Sequence, residues 1–301
     1  MNKKAFFLAL ITVIIWGSTF AAIRASLHGG YEPGHLVLVR FLVASLSIFI
    51  IYALWPGVKM RLPRKEDALR ILILSFIGIS VYHFGVTFGE MTVSAGTAGM
   101  IIGSSPIFTA IIAVFILKER LGFYGWIGLA LGFIGIILVT LGTSGASLSL
   151  SGGALLVLLA AFATSVFFVF QKPLFQRYKP IELTAYFTWG GTIPFLLFAP
   201  GVFDSIQQAT LEANLAAIYT GVFPAAIAYI TWSTALSLGD ASSVSSLLYL
   251  EPAIAILVAW IWLAELPGTL SLLGGVIALS GVMVVHILGK KGPVALKEKA
   301  T

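Results

Sequence analysis

Four ionisable side chains stand in or at the ends of stretches that are otherwise apolar, and each brings a distinct chemistry. Glu251 directly precedes Pro252, about ten residues into its apolar stretch, where a carboxyl can carry a proton or meet a cationic substrate group. The alternative for Glu251 is a protonated or paired acid that braces the proline. Arg40 has the geometry to take a carboxylate in bidentate fashion, or to snorkel outward or pair with Glu32 or Glu90. His83 titrates near neutral pH unless it serves as a hydrogen-bonded packing residue. Glu90 closes the stretch that contains His83. Aromatic residues accompany these groups. Trp16 sits in IIWGSTF beside Ser18 and Thr19, while Tyr229, Trp232 and Leu236 share one helical face. Singly these aromatics suit packing or interface anchoring. Together Trp16, Tyr229, Trp232 and Tyr249 are the expected lining of a cavity for an organic molecule, with Arg40, His83 and Glu251 beside them.

The elements that must hold these groups are membrane spans. Of 301 residues 59% are hydrophobic and 10% charged, and the mean hydropathy is +1.03. A helical span takes about 20 mostly apolar residues. Ten such stretches are predicted, near 5–23, 35–54, 69–89, 95–117, 122–141, 153–171, 183–199, 214–236, 241–263 and 270–288. The fold class is therefore an all-α integral membrane protein. The first stretch follows Lys3 and Lys4 but is longer than a signal-peptide core, and it reads as a retained span. The chain has no cysteine, which excludes disulfides and thiolate chemistry.

Charge sets the orientation. With both termini in the cytoplasm, 16 of the 18 basic residues fall inside, and the outer loops carry Glu32, Glu90, Asp204, Glu212 and Glu265. The stretch 94–140 also recurs at 240–286, at a constant offset of 146 residues. Pro106 falls on Pro252, Glu119 on Glu265, Gly122 on Gly268, Gly128 on Gly274 and Gly135 on Gly281. Each copy reads as a helix with an interior proline, an E-x-x-G turn and a glycine-laddered helix. Since each half has an odd number of spans, five, the second must enter from the opposite side. An inverted repeat with a site near the midplane follows. The expected units are 1–145, 146–289 and a basic cytoplasmic tail, 290–301, with 142–152 as linker. Short connections leave no room for a soluble catalytic domain. Neither HExxH, GxSxG nor a Walker-type GxxxxGK[ST] is present, and the stretch 237–240 lacks the first glycine of GxGD. No enzyme activity, cofactor, metal or nucleic-acid partner is expected.

Trp16-Gly17, Arg40, the run from Ser94 to Ile107, the L-K-E-R turn at 117–120, Tyr249-Leu250-Glu251-Pro252 and the L-A-E at 263–265 together resemble the EamA family of the drug/metabolite transporter superfamily. The resemblance spans about residues 5–288. It implies two inverted five-helix halves in a bacterial inner membrane, a small-molecule substrate, export of amino acids, including aromatic ones, or related metabolites, and alternating access. The chain is expected to act as a monomer. Glu90 departs from the family pattern, which is apolar there. Two other readings stand beside this one: proton-coupled export of cationic or lipophilic compounds through Glu251, and a membrane sensor or scaffold without transport.

Overall fold

The computed structural model describes the backbone of residues 3–54, 61–115, 122–142, 151–238 and 246–288, with most of their side chains. All regular structure among the described residues is helical. Helix α1 (Lys3–His28) and α2 (Pro33–Leu54) are each long enough to cross a bilayer unbroken. Pro33 opens α2 at a position whose N–H has no helical partner in any case. A third apolar run, Lys65–Gly89, consists of α3 (Lys65–Ser75) and α4 (Tyr82–Gly89), joined by a π-helical turn over Phe76–Val81. A fourth begins with α8 (Gly152–Gln171) and ends in a 3-10 turn. The fifth contains α11 (Leu211–Val222) and α12 (Ala228–Leu238), joined by a π-helical turn over Phe223–Ile227. Offset by 146 residues, the two π turns coincide to within one residue. The remaining helices are α5 (Ala95–Ile102), α6 (Ser105–Phe115), α7 (Phe123–Gly142), α9 (Pro180–Thr192), α10 (Val202–Gln208), α13 (Glu251–Leu263) and α14 (Thr269–Leu288).

The expectation of continuous spans with interior prolines over 95–117 and 241–263 is corrected by the structure. Helix α5 stops at Ile102 and α6 restarts at Ser105. In the second copy a 3-10 turn over Ser246–Leu250 leads into α13, which places Pro252 in its first turn. Residues 241–245 lie outside the described residues. The reason is local. Proline cannot donate to the helical ladder and its ring clashes with the preceding turn, so a fresh start is the cheaper solution. The backbone groups freed at the first break find partners: Gly103 N donates to Gly99 O at 2.8 Å, and Ser104 N to Ile101 O at 3.2 Å. From the facing helix, Ser165 Oγ donates to Ser105 O at 2.8 Å.

The two breaks also pack on each other. A Cβ on Gly103 would stand 2.3 Å from Cγ of Pro252, and one on Gly99 would stand 2.4 Å from the Ala255 side chain. Helices α7 and α14, which occupy equivalent places in the repeat, pack closely along their glycines. Gly135 faces Ala278 while Gly132 faces Gly281, and Gly128 O approaches Gly281 while Gly135 O approaches Gly274. Subtracting 146 from the α14 numbers turns each contact into its partner, the reciprocity a two-fold axis produces. As contacts climb along α7 they descend along α14, so the pair is antiparallel. Small residues allow this approach where apolar burial alone drives little association.

These distances predict that Gly135→Ala costs about 1–3 kcal/mol by overpacking, since its Cβ would lie 2.3 Å from the backbone nitrogen of Ala278. A Cβ at Gly152 meets nothing within 4 Å, so Gly152→Ala should stay within about 0.5 kcal/mol. Equilibrium unfolding in mixed micelles, run on both variants, measures the difference.

Candidate substrate site

Trp16 is placed by α1, which is sewn to α11 and α12 by polar contacts. Thr12 and Thr231 hydroxyls lie 2.7 Å apart, and those of Ser18 and Tyr219 2.6 Å apart. The indole Nε1 of Trp16 donates to Pro224 O in the π-helical turn at 3.2 Å, a carbonyl that the widened turn makes accessible. This fixes the ring 5.4 Å from Tyr229 and 5.3 Å from Trp232. The next residue, Gly17, faces α13: its Cβ would lie 3.1 Å from Glu251 O, so only glycine lets α13 come this close. Trp16 and Glu251 are thereby held at one depth.

Arg40 and His83 approach from α2 and α4. Each is 2% exposed, and neither Nε and Nη1 of Arg40 nor either ring nitrogen of His83 has a hydrogen-bond partner among the described residues. The Phe41 ring lies 5.7 Å from the Arg40 guanidinium carbon and 4.5 Å from the His83 ring, which also meets Tyr82 at 4.6 Å. Arg40 lies within electrostatic reach of Tyr82, Tyr229 and Glu90, and Glu251, 7% exposed, acts on the same two tyrosines. Arg40 and Glu251 therefore share Tyr82 and Tyr229 as electrostatic neighbours. An arginine with free donors and a carboxyl, with Tyr82 and Tyr229 in reach of both and the Trp16 and Trp232 rings beside Tyr229, suit a molecule carrying a carboxylate, an amine and an apolar side chain.

Six of the seven expected site residues thus fall in one region. The Tyr249 side chain lies outside the described residues. Tyr186, which the repeat sets opposite Arg40, does not join the cluster: its hydroxyl donates to Arg61 O at 2.6 Å, at the opposite end of the bundle. Sequence reasoning missed Tyr82 because its repeat counterpart is Ala228. Also missed was the Phe-rich end of α8. Phe167, Phe168, Phe187 and Thr188 join Tyr229 and Trp232 around a narrow cavity of about 20 Å³. That is room for one or two waters, so passage of any organic solute requires the helices to move. The run FFVFQ at 167–171 was the available signal. A wider cleft of about 400 Å³ between α3 and α9 is lined by Arg61, Leu62, Tyr186 and Trp189, and none of Arg40, His83, Glu90 and Glu251 borders it. Beside it Arg61 grips Glu182 through two bonds of 2.8 and 2.9 Å, and this contact raises the affinity of the guanidinium for its proton.

At the other end of the bundle Arg24 Nε donates to Glu265 Oε1 at 3.1 Å, and Arg24 Nη1 donates to Glu90 O. This joins α1, the end of α4 and the connection between α13 and α14. Among the described residues no group of three His, Asp or Glu side chains has the arrangement of a metal site.

Comparison with known proteins accords with this architecture. The chain is 38% identical to "Uncharacterized transporter YdfC" of Bacillus subtilis, over 91% of this chain and 88% of that one. It is 34% identical to a "Probable terminal-alkyne amino-acid exporter" of Streptantibioticus cattleyicolor, over 94% of each. It is 25% identical to a "Probable amino-acid metabolite efflux pump" of Escherichia coli, over 99% of each. A solved structure named only "Crystal structure of protein" superposes with a TM-score of 0.65 at 20% identity, covering 96% of this chain and all of that one, and shares the fold. Residues 3–141 and 151–287 each match the EamA-like transporter family, and with its apolar helices the chain is a multi-pass membrane protein that belongs to this family.

Proposed function

We propose that this protein is a secondary transporter of the bacterial inner membrane that exports amino acids or closely related metabolites. The observation that carries the reading is that Arg40 and Glu251 both lie within electrostatic reach of Tyr82 and Tyr229, beside the Trp16–Tyr229–Trp232 cluster. Relatives named as amino-acid exporters and efflux pumps support it. In this reading Arg40 takes the substrate carboxylate, Glu251 its ammonium group, and the rings its side chain.

Ten spans arranged as two inverted halves, 1–145 and 146–289, supply the motion. The reciprocal α7–α14 contacts and the paired helix breaks support that arrangement. Discontinuous helices at mid-depth are where many secondary transporters bind their solutes, and rocking of one half against the other exposes the site to each side in turn. In this reading the Arg24–Glu265 tie holds the outer end, Arg61–Glu182 and Arg177–Asp67 hold the cytoplasmic end, and the site loads from the cytoplasm along the Phe167–Trp232 cavity once those part. The buried carboxyl of Glu251 also gives weight to a second reading, export of organic cations.

Counterflow of labelled amino acids in proteoliposomes tests both readings. The expected outcome is exchange of zwitterionic amino acids with apolar or aromatic side chains. Exchange confined to organic cations would establish the second reading, and absence of any exchange by folded protein would remove both.

Two substitutions give finer predictions. Arg40→Gln should weaken binding of amino acids by about tenfold to a hundredfold, the worth of a hydrogen bond to a charged group, and leave decarboxylated amine analogues unaffected. Glu251→Gln should show the reverse, weakening amines and sparing deaminated carboxylates. Competition against labelled substrate reads both, and equal losses for all ligands in either variant would remove that residue's assigned role.

A further inference from the structure

One buried acid is left unused by the substrate reading. Glu90 caps the C-terminal end of α4 with no exposed surface, and neither carboxyl oxygen has a hydrogen-bond partner among the described residues. The titratable groups facing it are Arg24 from α1, Arg40 from α2, Glu265 from the connection between α13 and α14, and Tyr82 from its own helix. Arg24 is committed elsewhere. Its Nε donates to Glu265 Oε1 at 3.1 Å, and its Nη1 donates to the main-chain carbonyl of Glu90 rather than to the carboxyl. The guanidinium thus latches the second half of the chain to the end of α4 while the Glu90 side chain stays without a donor.

An ionised carboxylate in that setting is a desolvated charge with no hydrogen bond, whereas the neutral acid is tolerated. Parting Arg24 from Glu265 would open the outer end and bring water to Glu90, where a carboxyl ionises at ordinary pH. We propose that Glu90 is a proton-binding site, and that closing the outer end requires its carboxylate to take up one proton from the external water. The inference rests on the alternating-access reading above. The repeat places Phe170 and Leu236 at the positions of Arg24 and Glu90, so neither the latch arginine nor the unpartnered acid recurs at its repeat-related position, and the ties at the cytoplasmic end among the described residues, Arg61–Glu182 and Arg177–Asp67, are acids held by arginines. Proton uptake at this position therefore acts on the outer end, and because the proton is taken from and returned to the external water it sets the closed-to-open ratio without itself crossing the membrane.

The sign follows from linkage. The closed form holds the proton and the open form releases it, so falling external pH favours closure and rising pH favours opening. With one proton involved, the closed-to-open ratio changes by at most about tenfold per pH unit.

The chain has no cysteine, so Met91→Cys and Leu266→Cys introduce the sole labelling positions; both are exposed and adjoin Glu90 and Glu265. Spin labels there report the width of the outer mouth by pulsed electron resonance in nanodiscs between about pH 5 and about pH 9. The expected result is a long-distance population that grows with pH. Glu90→Gln, a mimic of the neutral acid, should hold the short distance throughout, Glu90→Asp should restore a pH response, and Glu32→Gln, an exposed acid at the same end, should leave it unchanged. A pH response that survives in Glu90→Gln overturns the proposal. So does a long population that ignores pH in the parent, although that outcome leaves alternating access standing. A single short distance under every condition, saturating amino acid included, removes both.

Discussion

A chain in hydrocarbon must satisfy its own backbone, and a break in a helix is tolerated there only where protein covers it. The fold turns on that constraint. The interruption at Gly103 and Ser104 is covered by the first turn of α13, whose proline packs against Gly103, and by Ser165 of α8, which donates to Ser105 O. Because the two interrupted helices shelter each other, α5 and α13 must cross at their breaks. That crossing fixes the depth at which Glu251 stands. It also requires Gly17 in α1 and Gly99 in α5, since a side chain at either position would strike α13.

The buried polar groups divide according to whether they have partners. Hydroxyls in the spans mostly return to carbonyls of their own helix or bridge two helices, as the Thr12–Thr231 and Ser18–Tyr219 pairs do. Those contacts bind α1 to α11 and α12 and ask nothing of a ligand. Arg40, His83 and Glu90 are different, because each is buried with polar atoms that no described residue satisfies. Groups of that kind are costly in a membrane, and their presence is better explained by a solute or a proton than by stability. Partnering thus separates Arg40 and Glu90 from Arg61 and Glu182, whose carboxyl is also buried but is satisfied within the pair.

The two ends of the bundle are built differently although the helices repeat. Equivalent positions carry Arg24 and Phe170, or Glu90 and Leu236, so the repeat conserves geometry while the charges break its symmetry. The unequal charges at the two ends give the water on either side of a membrane different chemistry to act on.

Sequence alone determined the elements and their duplication, because hydropathy, proline, glycine and basic residues are properties of position along the chain. The offset of 146 residues placed Pro106 on Pro252 and Gly135 on Gly281 before any contact was known, and the ionisable residues in apolar stretches were conspicuous by their cost. Trp16, Tyr229 and Trp232 were likewise legible as an aromatic group. The sequence did not show that the prolines end helices rather than kink them, since both are tolerated in a membrane and only the partners of the freed backbone groups decide. Nor did it show that Tyr82 lies within electrostatic reach of both Arg40 and Glu251, or that Arg24 turns to Glu265 and leaves the Glu90 carboxyl alone. These relations join residues up to 241 positions apart, and only packing brings such residues within reach of a hydrogen bond or a charge.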